Sequence, residues 1–204
     1  MDDAALLEAW RAGDSAAGNR LFHRHADAVI RVFRNKVGDA TDDLVQRTFV
    51  ACLERTNEIA DADRFRQYLL KVARNQLFRF FRDRAGPRGR IDTMRTSVHE
   101  LAPSPSTMLG VDRERQQLLA ALRRLPIELQ LALELYYWEG LRGPELADVL
   151  GVAEGTARSR IRIAKERIRR LLDEAEGVDA DRGAGADFDE WAASLKDELG
   201  GKGR

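Results

Sequence analysis

GPELADVLGVAEGTARSRIRIAKERIRRLL, residues 143–172, decides how this chain is read. Pro144 suits a first helical turn, where its missing N–H is not needed, so a short helix is expected from Pro144 to Leu150. Gly151-Val152-Ala153 makes a tight turn, and a longer helix should run to about Leu172. Short helix, glycine turn and long helix form a helix-turn-helix. The apolar positions agree, with Leu146, Ala147 and Leu150 facing Ala157, Ile161, Ala164 and Ile168. Arg158, Ser159, Arg160, Arg162, Lys165 and Arg169 are then expected to point outwards. Arginine and lysine bind phosphates and reach guanine edges in a major groove, and serine bonds phosphate or base. Residues 156–172 hold seven basic groups and one acidic. A helix that only packs has no need of so many, and duplex DNA is the expected partner.

Working outward, charge is segregated although the 204-residue chain is neutral overall, with 34 basic and 34 acidic side chains. Residues 64–90 form a second basic block of nine cations against one anion, and 173–204 carry ten anions against four cations. Two basic blocks set among acidic segments point to two polyanion contacts. FRQYLLKVARNQLFRFFRDR (65–84) interleaves cations with Phe65, Tyr68, Phe78, Phe80 and Phe81. Aromatic rings stack on unpaired bases while cations track the backbone, so single-stranded nucleic acid fits this block. Phe65, Leu69 and Phe80 read as core, with Arg74 and Arg79 exposed.

No stretch alternates like a strand, and helical periodicity recurs throughout. Leu6, Leu7 and Trp10 predict a first helix, and Leu21, Phe22, Ala26, Val29, Ile30, Phe33 and Val37 a long second one. Thr41 or Asp42 is the expected cap of a third, with Leu44, Val45, Phe49, Cys52 and Leu53 buried. A fourth follows from about Asp63, with Phe65, Leu69, Val72, Ala73, Gln76, Leu77 and Phe80 on its inner face. Residues 85–112 hold three of the five prolines and read as an interdomain linker. Leu118, Leu119, Leu122 and Leu125, then Leu129, Ala132, Leu133 and Tyr136 beyond Pro126, predict two more helices. The expected fold is all-α: two small helical domains, 1–84 and 113–173, joined by a flexible linker, with an acidic extension at 174–204.

These motifs, in order, resemble the extracytoplasmic-function (ECF) class of bacterial sigma-70 factors, over roughly residues 15–173. DDLVQRTFVACLE (42–54) resembles region 2.2, residues 65–84 resemble regions 2.3 and 2.4, and 122–172 resemble region 4. The resemblance implies a cytoplasmic factor with no enzyme activity and no cofactor or metal. It would bind the β′ and β subunits of core RNA polymerase and direct it to promoter DNA. It makes Asp43, Leu44, Gln46 and Phe49 polymerase-contact candidates, with Arg47 standing where the family usually has Glu. It assigns Asn57, Asp61, Asp63, Arg66, Tyr68, Lys71, Arg74, Asn75 and Arg79 to the melted minus-ten element. Arg158, Ser159, Arg160, Arg162 and Lys165 fall to the minus-thirty-five duplex. Ala153 stands where a capping Ser or Thr is common, at a cost of about 1 kcal/mol. Glu154 offsets part of that through the helix dipole.

Two rival readings remain: a helix-turn-helix regulator that binds an operator, and a protein-binding adaptor with solvated arginine helices. The first would need a sensor or dimerisation domain where residues 15–84 carry the docking and aromatic-basic motifs. His23 and His25, two apart on a helix, do not share a face for a metal. Cys52 alone reads as a small buried hydrophobe. No phosphate loop or nucleophile elbow appears. Phe188, Trp191, Leu195 and Leu199 give the acidic extension one apolar stripe, so it is expected either to cover the recognition helix in cis or dock on polymerase, or else to be a disordered solubilising tail. The family resemblance adds an anti-sigma factor to the partner classes.

Overall fold

The computed structural model describes residues 1–55, 59, 64–85, 91–101 and 113–176, and among them the regular structure is helical with no strand. Four helices form an N-terminal bundle: α1 (Asp3–Arg11), α2 (Ser15–Arg34), α3 (Thr41–Glu54) and α4 (Phe65–Arg84). Asp2 and Asp14 cap α1 and α2, accepting from the backbone N–H of Ala5 at 2.8 Å and of Ala16 at 2.9 Å. The cap expected for α3 is absent. A 3-10 turn, Gly38–Ala40, leads straight into it, and the Thr41 hydroxyl donates back to the Gly38 carbonyl at 2.8 Å. Gly18 lets α1 lie close on α2, since a Cβ there would stand 2.7 Å from the Trp10 ring.

The bundle core is Leu21, Val29, Val32 and Phe33 of α2, Leu44 and Cys52 of α3, and Phe65, Leu69, Leu70, Ala73, Leu77 and Phe81 of α4. Two expected stripes are rotated. On α3, Thr48 goes inside, donating to the Leu44 carbonyl at 2.7 Å, while Val45 and Phe49 are half-buried and Leu53 is 49% exposed. On α4, Leu70 and Phe81 are buried, and Val72, Gln76 and Phe80 are half-buried. The physical reason is a third neighbour: α4 packs on α8 as well as on α2 and α3, so its buried arc is wider than one stripe.

The C-terminal half comprises α6 (Arg113–Arg124), α7 (Ile127–Tyr137), α8 (Gly143–Leu150) and α9 (Glu154–Glu176). A single helical turn, α5 (Val98–Leu101), precedes them. Pro144 lies in the first turn of α8, and Gly151 ends it in the left-handed conformation at φ 64°. Leu118, Leu122, Leu125, Leu129, Leu133, Trp138, Ala164 and Ile168 form this half's own core. Part of the linker is anchored here. Ile127 N–H donates to the Thr96 carbonyl at 3.0 Å, the Thr93 hydroxyl to Glu128 at 2.5 Å, and Val98 is fully buried.

The two halves are not separate beads. α7 is apolar on both faces: Leu129 and Leu133 belong to the C-terminal core, while Ile127, Leu131, Ala132 and Leu135 join one continuous cluster with Leu70, Ala73 and Leu77. A helix that is hydrophobic all round must be buried all round. Each such leucine contributes about 1.5–3 kcal/mol by leaving water.

Candidate nucleic-acid interface

The packing of Ala157, Ile161, Ala164 and Ile168 against the C-terminal half turns the opposite side of α9 outward. Arg158 and Arg162 are there, their side chains 78% and 65% exposed. Each pairs with a carboxylate one turn along the same helix: Arg158 with Glu154 at 2.6 Å and Arg162 with Glu166 at 2.7 Å. Such exposed pairs are worth a few tenths of a kcal/mol and yield easily to phosphate. Ser159 is half-buried, and the Lys165 ammonium lies 5.0 Å from the Tyr137 ring centroid. Arg160 departs from the outward orientation expected of it. Its side chain is 11% exposed and is paired with Glu128 of α7, because at this position the helix surface already turns towards α7.

The second basic helix behaves differently. Arg66 reaches Glu139 at 2.6 Å and Lys71 reaches Asp148 at 2.7 Å, both carboxylates lying in the C-terminal half. Arg74, expected to be exposed, is half-buried. Its guanidinium sits 4.7 Å over the Phe78 ring, donates to Asn75 at 3.2 Å and abuts Gly151, and its buried Nε has no hydrogen-bond partner. Burial pulls the Arg74 pKa down, with Glu128 raising it and Arg160 lowering it. Tyr68 is half-buried, Asn75 and Arg79 are exposed, and Arg79 is 3.9 Å from Asp83. Asn57, Asp61 and Asp63 lie outside the described residues.

Beneath these pairs is a buried ionic layer that periodicity did not single out. Glu139 takes a two-point clamp from Arg31 of α2 at 2.6 and 3.1 Å in addition to Arg66. Burial alone would raise the Glu139 pKa, but the hydrogen bonds and charge of Arg31 and Arg66 outweigh it and hold the carboxyl below its ordinary range. Lys36, fully buried, pairs with Glu134, which also accepts from Asn35 at 3.0 Å and Gln130 at 2.8 Å. Burial pulls the Lys36 pKa down, and Glu134 restores part of it. Arg123 donates to the Asn35 carbonyl. The one available signal was Gln130 and Glu134, four apart in IELQLALELYY, whose only other charged residue is Glu128.

A third surface lies between α2 and α3. Phe22, Ile30, Val45, Phe49, Val50 and Leu53 line an open groove of about 600 Å³, with Gln46 and Asp42 at its edge. The Phe49 ring packs against Phe22 at a tilt of 53°, with centroids 4.7 Å apart. Asp43 is exposed and paired with Arg47 at 2.9 Å. Leu44 requires correction as a contact candidate: it is 1% exposed and faces the bundle core, one helical step away from the groove. Cys52 is buried, its thiol pushed up to about 12 by desolvation.

The described residues form no group of metal-ligating side chains, and no helix among them is long and apolar enough to cross a membrane. Residues 21–86 match the model of sigma-70 region 2, and residues 115–168 that of sigma-70 region 4. The chain is 30% identical over 173 residues to the ECF RNA polymerase sigma factor SigM of Mycobacterium tuberculosis, covering 83% of this chain and 84% of that one. It is 30% identical over 168 residues to SigL of the same species, covering 80% and 93%. The structure of CnrH in complex with the cytosolic domain of CnrY superposes with a TM-score of 0.54 at 26% identity, over 84% of this chain and 97% of CnrH. With both regions in order on one chain and relatives matched along most of their length, the chain belongs to the ECF sigma factors of the sigma-70 family.

Proposed function

We propose that the three surfaces divide promoter recognition among them. The outer face of α9, with Arg158, Ser159, Arg162 and Lys165, reads the minus-thirty-five element as duplex. The basic-aromatic face of α4, with Arg66, Tyr68, Lys71, Asn75 and Arg79, holds the melted minus-ten strand, helped by the segment containing Asn57, Asp61 and Asp63. The groove between α2 and α3, with Gln46, Phe49 and nearby Asp43, docks on core RNA polymerase through β′, and region 4 approaches β. The observation that carries this reading is the exposed apolar groove on α3, which a protein that only bound DNA would have no reason to keep. Exposed apolar surface of this kind marks a protein partner.

In this reading the chain has no reaction of its own. It lends specificity to polymerase, because two modest DNA contacts fixed on one enzyme act at high effective concentration. The complex of CnrH with the cytosolic domain of CnrY supports a further protein partner besides polymerase, and an anti-sigma factor is the class we propose for it. Purified chain added to core polymerase on a genomic promoter library should give transcripts from promoters with two spaced elements. No specific transcript from any promoter would overturn the proposal.

A further inference from the structure

Glycine inside a helix needs a reason, because it loses more conformational freedom on folding than any other residue and packs no side chain. Five of the described glycines, Gly13, Gly38, Gly140, Gly143 and Gly151, have positive φ and mark turns or helix ends. Gly18 has its reason in packing, with the Trp10 ring standing where a Cβ would be. Gly155 has neither. It is the second residue of α9 and exposed, its φ lies outside the left-handed region, and a Cβ built on it would meet nothing within 4 Å. The neighbouring Glu154 carboxylate does not cover it, being turned back to 3.5 Å from where a Gly143 Cβ would stand. The free chain would be more stable with alanine at 155.

Helical spacing shows what the gap faces. Steps of three, four and seven from Gly155 reach Arg158, Ser159 and Arg162, so the bare backbone lies on their face of α9. A recognition helix enters the major groove with its N-terminal residues against base edges. That groove is ~12 Å wide and a helix with its side chains is about 10–12 Å across, so an added methyl at the leading turn finds no slack. We infer, on the reading of α9 given above, that Gly155 is a specificity-determining position: its missing side chain lets a base-pair edge of the minus-thirty-five element close on the α9 backbone. Arg158 and Arg162 supply charge to this face, and Gly155 supplies room.

The test needs the full chain, free and bound to core polymerase. Free Gly155→Ala should unfold at a higher temperature than wild type. With polymerase, on a promoter whose minus-thirty-five element is intact or scrambled, the advantage of the intact element should fall roughly tenfold, the size of one mismatched base pair. Gly155→Leu, longer and still a good helix former, should lose more. Across elements randomised position by position, the loss should concentrate at one or two adjacent base pairs. Affinity for core polymerase should not change. An unchanged advantage in Gly155→Ala overturns the inference. So does a lower unfolding temperature, which would give the glycine a role in the fold, or a loss spread evenly over all sequences, as a phosphate contact would give. Arg162→Ala, assayed alongside, separates these failures from that of the reading beneath. A loss in Arg162→Ala with none in Gly155→Ala defeats the inference alone, whereas no loss in either variant strikes the role given to α9 and the inference with it.

Discussion

On α4, Arg66 and Lys71 reach carboxylates 73 and 77 residues away, whereas on α9 Arg158 and Arg162 pair with carboxylates four residues along their own helix. Both helices are basic, yet the fold spends that charge differently. Pairs within α9 are exposed and leave the helix surface where sequence places it. Pairs from α4 tie one half of the molecule to the other and sit above a buried ionic layer. The lesson is that a basic helix is not by itself a free nucleic-acid surface. The sequence separation of its acidic partners tells whether its charges are local or structural.

The largest effect should come from the buried layer. Glu134→Gln leaves the Lys36 ammonium enclosed without its counter-ion, and breaking a buried pair from one side costs about 3–5 kcal/mol. Urea unfolding should report that loss. Adding Lys36→Met should restore most of it, because the unpaired charge disappears. If the single variant unfolds like wild type, Lys36 is not paired as the structure has it. Mild acid should leave the clasp around Glu139 untouched. Its folded pKa is depressed, so its contribution is complete above the ordinary value of 4.5 and fades only as pH falls through the lower folded value.

Next comes the α9 face. Arg162→Ala should weaken minus-thirty-five binding by about 1–3 kcal/mol if the side chain reaches a base edge. Arg160→Ala sharpens the comparison. Its guanidinium is paired with Glu128, so it should lower stability and leave DNA selection alone. Reporter activity set against thermal midpoint separates the two. An Arg160 variant that loses selectivity while keeping its stability would return that side chain to the DNA face.

Helix content, both halves and the helix-turn-helix were legible because each rests on local signals. A 3.6-residue stripe, a proline in a first turn and a left-handed glycine need no knowledge of distant partners. What sequence missed involves partners in other elements, from 32 to more than 100 residues away. Phe80, expected in the core, is half-buried while Phe81 is buried, and Arg74, expected outside, is half-buried where α8 meets α4, a neighbour that periodicity along α4 does not encode. Leu44 read as a docking residue for a related reason: the motif named the segment, but only the third dimension says which of its residues face the groove. Arg160 turned inward because Glu128, 32 positions earlier, awaited it. Of the nine minus-ten candidates, the described ones share a helix, and two of them are held by carboxylates that no single-segment reading would connect to them.

A smaller effect is expected where the halves touch. Gly151 adopts φ 64°, and a Cβ there would meet the Arg74 guanidinium at 3.2 Å. Gly151→Ala should therefore cost about 1–2 kcal/mol from the left-handed backbone. The end of a long, flexible side chain can move away from the methyl group, so the contact itself should add little. Thermal unfolding of the variant should show that loss, and a midpoint equal to wild type would mean that the turn tolerates a side chain.

The smallest effect tests the claim that the α9 pairs are dispensable. Glu154 accepts from Arg158 across one turn and stands in the first turn of α9, where a negative charge meets the helix dipole. Glu154→Gln removes both terms, about 0.3–0.5 kcal/mol for the exposed pair and 0.3–1 kcal/mol for the dipole. Stability should fall by less than about 1.5 kcal/mol on these figures, and less still at high salt. Duplex binding should hold or improve slightly, because Arg158 is released and one negative charge leaves the DNA face. The pair of readouts matters more than either. A small stability loss with unchanged or tighter minus-thirty-five binding places Arg158 on DNA and Glu154 in the helix. Binding that collapses would mean that Glu154 aims the guanidinium at its target, and α9 would then depend on its acidic partner as strongly as α4 does.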